Sequence, residues 1–213
     1  MHIKKIYLTA VMLLSAAAGT MAQNTMQGLF AGNTKLTFLG IDFTNAKYVG
    51  AAGFTDPSAI KNQHIKSWNS LLVLEPKKFS LQEVFKIKDD SRYETNIDDL
   101  TRINTAVEVE SNITEEQHLL TEADVNRIAA KYKLAPSDGV GVAYIAENLD
   151  KNKEEFTVWV TFIDLATGKV IYTERLVSKP GGFGFRNYWA GAVYKVNKLI
   201  ESKYYKQWAK QFK

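Results

Sequence analysis

Apolar residues fall on both faces of three short segments of the chain, a pattern typical of strands inside a covered β-sheet. These segments are residues 34–48, 139–146 and 156–163. A fourth apolar segment, 170–177, follows the third after a turn in which Gly168 can adopt a positive φ. We therefore predict that the last two segments form an antiparallel hairpin and that all four belong to one sheet.

Apolar residues three or four positions apart predict helices between and after these strands. Asp56 is placed to cap the first helix and Pro76 to end it, while Thr121 and Asp124 have the form of a capping box before the second, which should stop near Leu134. A long helix should end the chain. Its apolar stripe comprises Trp189, Val193, Val196, Ile200, Tyr204, Trp208 and Phe212.

The middle of the chain has a weaker pattern. Residues 80–83 have the form of a capping box, 92–97 favour a short strand and 98–107 favour a short helix. The polar stretches 86–90 and 108–116 are typical of solvated loops or exposed helix faces. The order of elements predicts an α/β fold: a mixed β-sheet covered by helices, with an antiparallel hairpin and a long C-terminal helix.

The first residues have the pattern of a signal peptide. Lys4 and Lys5 precede an apolar run, 6–18, and the small residues around Met21 offer a cleavage site after Ala22. The run is too short to span a bilayer about 30 Å thick. We therefore predict a signal peptide over 1–22, a short leader over 23–32 and a single domain over 33–213, exported to the periplasm or beyond.

Composition narrows the chemistry that this chain can perform. It has no cysteine, which excludes disulfides, thiolate metal sites, cysteine nucleophiles and a lipidated cysteine. Without residues 1–22 it has 25 basic and 23 acidic residues, and this near balance gives no support to nucleic-acid binding. Its two remaining histidines, His64 and His118, have no metal-ligand spacing, so we expect neither a metal nor a cofactor.

The hairpin and the segment after it resemble parts of exported bacterial proteins. Residues 36–43 and 158–172, the latter reading VWVTFIDLATGKVIY, resemble α/β domains of the Tol–Pal propeller protein, the curli secretion channel and the lipoprotein activator of penicillin-binding proteins. The hairpin and residues 181–189, GGFGFRNYW, are similar to uncharacterised exported proteins of Bacteroidetes-type bacteria. The resemblance transfers no function. The curli channel and the activator are anchored through a cysteine that this chain lacks, which argues against a pore.

The glycine-rich segment before the last helix is the first candidate site. Glycine N–H groups at a helix start can hold an anion, and a nearby arginine can pair with it. The segment has neither the GxGxxG spacing nor a phosphate-loop lysine. The alternative is structural, with glycines that allow a close crossing and aromatic rings that lock the helix to the sheet. The candidate binding residues here are Gly182, Phe183, Arg186, Tyr188 and Trp189.

Carboxylates at strand ends form a second candidate site. Asp42 follows the first strand, Asp164 begins the hairpin turn and Glu147 follows the second apolar segment, 139–146. Open α/β sheets often bind ligands at such positions, and paired carboxylates would suit a hydrolase. The alternative is that Asp164 and Asp42 accept hydrogen bonds from nearby loop backbone. No serine-nucleophile motif accompanies them.

Lysines along the last helix form a third candidate, since a basic amphipathic helix can lie on an anionic membrane or can be an ordinary docked helix. These are Lys195, Lys198, Lys203, Lys206, Lys210 and Lys213. Taken together, the sequence favours a non-enzymatic envelope module that binds a protein or another envelope component, through the sheet edge or the glycine-rich segment. The alternative is a small-ligand binder or hydrolase that uses Asp42 and Asp164.

Overall fold

The computed structural model describes residues 25–213. The predicted signal peptide, 1–22, lies outside the described residues, so export stays a prediction. Residues 25–31, within the segment predicted to be a leader, are helical and form α1. Met26 and Leu29 of α1 are buried in the same hydrophobic cluster as the first strand. The described part of the chain therefore packs against the sheet from its first helix onward.

Within residues 25–213, seven strands form one mixed sheet, which confirms the predicted fold class. They are β1 (Leu36–Asp42), β2 (Lys47–Val49), β3 (Tyr93–Thr95), β4 (Ile113–Thr114), β5 (Val140–Asp150), β6 (Glu155–Asp164) and β7 (Lys169–Ser178). Strand β5 is the centre: its first half pairs with β1 and its second half with β2, both parallel, while its whole length pairs antiparallel with β6. The β6–β7 hairpin is antiparallel, as predicted.

Helices cover both faces of the sheet. The helices after α1 are α2 (Pro57–Ala59, a π-helical turn Ile60–His64, and Ile65–Leu74), α3 (Pro76–Phe79), α4 (Leu81–Val84), α5 (Asp98–Asn104), α6 (Glu122–Ala129) and α7 (Phe185–Leu199, a π-helical turn Ile200–Tyr204, and Tyr205–Gln211). Asp56 accepts a hydrogen bond from the N–H of Ala59 and caps α2. Thr121 and Asp124 form the predicted capping box of α6.

The main core lies between the sheet and the pair α2 and α7. Trp68 of α2 and Trp208 of α7 are fully buried and belong to the same hydrophobic cluster as Val142 and Tyr144 of β5. The opposite face carries Ala143 and Ile145 and is covered by apolar residues of α5 and α6. Both faces of β5 are therefore shielded from water, as its two-sided apolar pattern predicts.

Several predicted boundaries were wrong. The first segment, 34–48, is two strands, because a turn at Asp42 and Thr44 ends β1 and lets β2 pair with the far half of β5. Helix α6 ends at Ala129 rather than near Leu134. The stretch 108–116 is more than a loop, since it contributes β4, which pairs with β2. Strand β5 runs on to Asp150, four residues beyond the prediction.

Candidate binding surface at the start of the C-terminal helix

The loop between β7 and α7 is held tightly on the first turns of the helix. The Gly181 N–H donates to the Tyr188 carbonyl oxygen at 2.9 Å. A Cβ atom added at Gly191 would lie 1.9 Å from the Gly181 carbonyl oxygen, so only glycine permits this crossing. Gly182 has φ +129° and its added Cβ would meet the Asn187 carbonyl oxygen at 2.8 Å. The predicted close crossing of loop and helix is therefore present.

Phe183 stands at the tip of this loop with 96% of its surface exposed. Its neighbours Gly182 and Gly184 both have positive φ, a backbone conformation that glycine adopts readily. The Phe183 ring projects from this turn into solvent. Most other large apolar side chains of residues 25–213 are buried, with Leu74 and Leu119 the next most exposed. A fully exposed phenylalanine on a tightly held loop costs solvation free energy without contributing to the core.

Arg186 fixes the same loop to α2. Its Nε donates to Ser67 Oγ at 2.5 Å, and its backbone carbonyl oxygen accepts from Trp68 Nε1 at 2.9 Å. Its Nη1 donates to Asn187 Oδ1 at 3.2 Å. Over the part of the chain that the structure describes, no carboxylate forms an ion pair with Arg186. Its positive charge therefore remains available to a group from outside the chain.

Tyr188 and Trp189 have different environments although they are adjacent. Trp189 is only 2% exposed and stacks on Phe54 with ring centroids 5.7 Å apart. Tyr188 is half-buried: Lys151 Nζ lies 3.8 Å from its ring centroid, and its hydroxyl donates to Glu154 Oε1 at 3.3 Å. Trp189 therefore anchors the helix, as the structural alternative expects, whereas Tyr188 belongs to the surface around Phe183.

A shallow cavity of about 300 Å³ lies beside this loop. Its lining includes Lys151, Gly182, Gly184 and Tyr188. The capping position of α7 is Gly184, whose lack of a side chain leaves the first-turn N–H groups without a capping acceptor. A helix start with free N–H groups favours negative charge, and so do Lys151 and Arg186. The surface is therefore apolar at its tip and electropositive at its base.

Asp42 is fully buried at the end of β1. Its carboxylate accepts from the Thr44 N–H at 2.7 Å, from Thr44 Oγ1 at 2.6 Å and from the Tyr132 hydroxyl at 2.7 Å. Burial raises the pKa of the Asp42 carboxyl, and the hydrogen bonds from Thr44 and Tyr132 oppose that rise. Burial also raises the pKa of the Tyr132 hydroxyl. These bonds fix the β1–β2 turn, so Asp42 is a loop-fixing acceptor.

Asp164 lies far from Asp42. It begins the hairpin turn, where it accepts from Thr167 Oγ1 at 2.6 Å and from the Ala166 N–H at 3.2 Å. Asp164 pairs with Val140 and Asp42 with Ile145, five positions apart along β5. At about 3.3 Å per residue the two carboxylates are separated by about 17 Å along the sheet. The structure therefore does not bring these two candidate residues together.

Glu147 lies within β5 rather than after it, and it is the most strongly bound carboxylate of the three. Arg175 of β7 donates to it from Nη2 at 2.7 Å and from Nε at 3.0 Å, and Trp159 Nε1 donates at 2.6 Å. The hydrogen bond to Glu147 raises the pKa of the Arg175 guanidinium. Sequence reasoning missed this cluster, although a lone glutamate in an apolar strand could have signalled it. The cluster joins β5, β6 and β7.

His64 and His118 occupy structural positions. The His64 ring packs against Phe185 and Trp68, and its partial burial lowers the pKa of the imidazole. His118 Nε2 lies 2.8 Å from the Glu147 carbonyl oxygen. Within residues 25–213 no group of three or more histidine, aspartate or glutamate side chains is arranged to hold a metal ion.

A cavity of about 460 Å³ lies beside β1 and β3, and sequence reasoning did not single it out. Its rim is charged, but Lys35 pairs with Glu94 and Arg102 pairs with Asp99. Neither Asp42 nor Asp164 lines it. Among the residues described, no helix combines the length and the apolar character that a membrane crossing requires.

The fold is thus a mixed α/β domain in which the loop before α7 forms an electropositive surface that presents an aromatic ring. No protein-family model matches the chain, and comparison with curated proteins also finds no match. Among solved structures the chain is similar to the LpoB C-terminal domain from Salmonella enterica, at 10% identity and a TM-score of 0.29. That alignment covers 74% of this chain and 98% of the LpoB domain. At this TM-score the similarity does not establish a common fold.

Proposed function

We propose that this protein is an exported envelope module that binds a partner protein through the surface formed by Phe183, Tyr188, Lys151 and Arg186, hereafter the Phe183 surface. The observation that carries the proposal is the almost complete exposure of Phe183 on a loop that two positive-φ glycines and the Gly181–Tyr188 hydrogen bond hold in place. The predicted signal peptide supports export.

An exposed aromatic ring gains free energy when a binding partner removes it from water. Burial of a phenylalanine side chain contributes about 1.5–3 kcal/mol, which the isolated protein forgoes at this position. Interfaces obtain most of their affinity from a few such anchors seated in pockets. Because the loop is already ordered, little conformational entropy is lost when the ring enters a partner. Phe183 therefore has the exposure and the order expected of an aromatic residue that anchors a protein–protein interface.

The charges around Phe183 define the chemistry of the partner. Lys151, Arg186 and Lys195 surround the loop, and none of them forms an ion pair within residues 25–213, while Glu154 is the nearby acid that holds Tyr188. A complementary partner offers an apolar recess for the ring and carboxylates at its border. Such charge complementarity favours fast and specific encounter.

The alternative, a hydrolase with strand-end carboxylates, receives no support from the geometry. Asp42 and Asp164 lie at opposite ends of the β1–β5–β6 region, and each is occupied by hydrogen bonds from its own turn. Paired-carboxylate chemistry requires the two groups to flank one substrate bond, within about 10 Å of each other. A separation of about 17 Å along the sheet does not allow that.

Site-specific photocrosslinking in the native host tests the proposal. A photoreactive phenylalanine analogue replaces Phe183 in one strain and Leu119, which is 74% exposed on a different loop, in a matched control strain. We expect position 183 to capture one defined envelope protein that position 119 does not capture. Capture of the same proteins from both positions, or of none from position 183, contradicts the proposal.

Direct binding then tests the anchor. The captured protein is purified, and its affinity is measured for the parent chain, Phe183→Ala and Leu119→Ala. We expect Phe183→Ala to weaken binding by about 30-fold or more, as for an interface hot spot, and Leu119→Ala to bind as the parent does. Both variants should keep the parent melting temperature because both side chains are exposed. Equal affinity of all three proteins would show that Phe183 is not the anchor.

A further inference from the structure

Charge is distributed very unevenly along this nearly neutral chain. Residues 179–213, which contain α7, carry eight basic residues and one acidic residue, a net charge of +7. Residues 25–178 carry 17 basic and 22 acidic residues, a net charge of −5. The small overall charge therefore conceals a strongly basic C-terminal helix on an acidic body.

The lysines of α7 lie on the side that faces solvent. The buried stripe of the helix contains Trp189, Val193, Val196, Ile200 and Trp208, as the sequence predicts. Exposed lysines occupy the opposite side at intervals of three to five positions: Lys195, Lys198, Lys203, Lys206 and Lys210. The helix is therefore docked by one side and presents a row of ammonium groups on the other.

Lysines from other elements extend this row. Lys78 of α3 and Lys198 of α7 approach the same ring, with Nζ atoms 5.8 and 5.7 Å from the centroid of Tyr194. Lys86 Nζ lies 4.5 Å from the centroid of the Tyr205 ring. The ammonium groups of these three exposed lysines thus lie over tyrosine rings, in cation–π geometry. We call this surface, formed by Lys77, Lys78, Lys86, Lys198, Lys203, Lys206 and Lys210, the basic face.

Exposed apolar side chains border the basic face at the end of α2. Leu74 is 74% exposed, and its neighbour Val73 is also exposed. Leu74 shares a surface groove with Lys77 and Lys78. An exposed leucine next to a cluster of lysines, with tyrosine rings beneath them, is the composition of surfaces that lie in the boundary between lipid headgroups and acyl chains.

The acidic groups at the basic face do not neutralise it. Glu201 pairs with Lys198 at 2.8 Å, and Glu83 also acts on Lys198. Glu75 lies in the groove beside Leu74. Within the described part of the chain, the other six lysines of the face form no ion pair. The face therefore keeps a net positive charge.

We propose that the basic face binds the surface of an anionic membrane, with Leu74 inserted among the lipid headgroups and α7 parallel to the membrane plane. This is a second surface, distinct from the Phe183 surface, and it requires no partner protein. Its cations are all lysines, which attract a diffuse anionic surface as point charges, whereas phosphate recognition in nucleic acids favours the planar arginine fork. The exposed leucine has no role on a soluble polyanion but gains from insertion into lipid.

Vesicle flotation tests this proposal with residues 23–213, the predicted mature chain. We expect the protein to float with vesicles of phosphatidylcholine that contain phosphatidylglycerol and to remain unbound with phosphatidylcholine alone. Raised salt should weaken the binding because ions screen the attraction. Equal flotation with neutral vesicles, or no flotation with anionic vesicles at low salt, overturns the proposal.

Charge reversal locates the binding site. A lysine close to an anionic surface contributes about a fivefold factor in affinity, so Lys206→Glu combined with Lys210→Glu should weaken binding about 25-fold or more. The matched control combines Lys133→Glu with Lys169→Glu, which are exposed lysines outside the face and should bind within twofold of the parent. Equal losses for both double variants would show that net charge, rather than the basic face, determines binding.

A final comparison separates lipid from soluble polyanions. Leu74→Ser should weaken vesicle binding severalfold and leave its salt dependence unchanged, because it removes insertion but no charge. At equal salt, the protein should bind poly-glutamate and duplex DNA far more weakly than it binds anionic vesicles. Leu74→Ser should not change its affinity for either polymer. If either polymer binds as tightly as the vesicles, the face is a general polyanion surface and the membrane assignment is wrong. Phe183→Ala should not change flotation.

Discussion

Trp68 Nε1 donates a hydrogen bond to the Arg186 carbonyl oxygen at 2.9 Å, joining the middle of α2 to the first turn of α7 across 118 positions of the chain. Ser67 adds a second link by accepting from Arg186 Nε. The Phe183 surface thus depends on two helices that the sequence places far apart. Its order therefore depends on the folded core as well as on the hydrogen bond between the loop and α7.

Removal of the Trp68 hydrogen bond tests this dependence. Trp68→Phe eliminates the donor and part of a side chain that is buried in the main core, so the free energy of unfolding should fall by about 1–3 kcal/mol. Ser67→Ala, which removes only the half-exposed link to Arg186, should lower it by less than about 1 kcal/mol. Urea unfolding measures both values. If the two substitutions cost the same, the Trp68 contact does not hold the loop.

Glycine at position 191 is required by the crossing of loop and helix. Gly191→Ala places a Cβ atom against the Gly181 carbonyl oxygen, so the loop must move away from α7. We expect a loss of about 1–3 kcal/mol in unfolding free energy and weaker binding of the captured partner. Gly168→Ala is the matched control, since its position has φ +69° with open space around it. Gly168→Ala should lower the free energy of unfolding by about 1–2 kcal/mol, because alanine is strained at a positive φ. It should leave partner binding unchanged.

Burial of Asp42 makes stability depend on pH. Because the folded-state pKa of this carboxyl is raised, its ionisation penalises the folded state as pH rises through that pKa. Asp42→Asn removes the ionisation, and the Asn amide can still accept from Thr44. The unfolding free energy of the variant minus that of the parent should therefore increase from about pH 4 upward and then level off. Urea unfolding over this pH range measures the difference, and a constant difference would contradict the burial argument.

Removal of one partner of the Glu147–Arg175 pair should lower the free energy of unfolding. Arg175→Met leaves the fully buried Glu147 carboxylate with Trp159 and Asn148 as its remaining donors, and we expect a loss of about 3 kcal/mol. Glu147→Gln combined with Arg175→Met should recover part of that loss because no buried charge remains. A double-mutant cycle by urea unfolding measures the coupling. Additive losses would show that the pair contributes no coupling energy.

Local sequence patterns were sufficient to predict the elements that depend on neighbours along the chain. The β6–β7 hairpin follows from two apolar segments around Gly168, and the docked side of α7 follows from the spacing of Val193, Val196 and Ile200. The capping box at Thr121 was also correct. Each of these features is decided within a few residues, where periodicity and capping determine the structure.

The candidate site was only partly predictable, because it depends on contacts between residues that are far apart in the chain. The sequence singled out residues 181–189 and predicted both Phe183 and Trp189 as binding residues. In the structure Phe183 is exposed, whereas Trp189 lies in the core. It also grouped Asp42 with Asp164, which β5 holds at opposite ends of a region of the sheet. Exposure and separation depend on which distant elements pack together, and residue type does not encode that.

The sequence by itself determined the class of fold, the hairpin and the amphipathic character of the last helix, because hydrophobic periodicity and turn residues act locally. Only the tertiary structure decided that β5 is shared by β1 and β2, that Glu147 is neutralised by Arg175, and that Lys78 and Lys198 meet over Tyr194. Each of these relationships joins groups that are distant in the chain. They form because one compact core must satisfy strand pairing, buried charge and packing simultaneously.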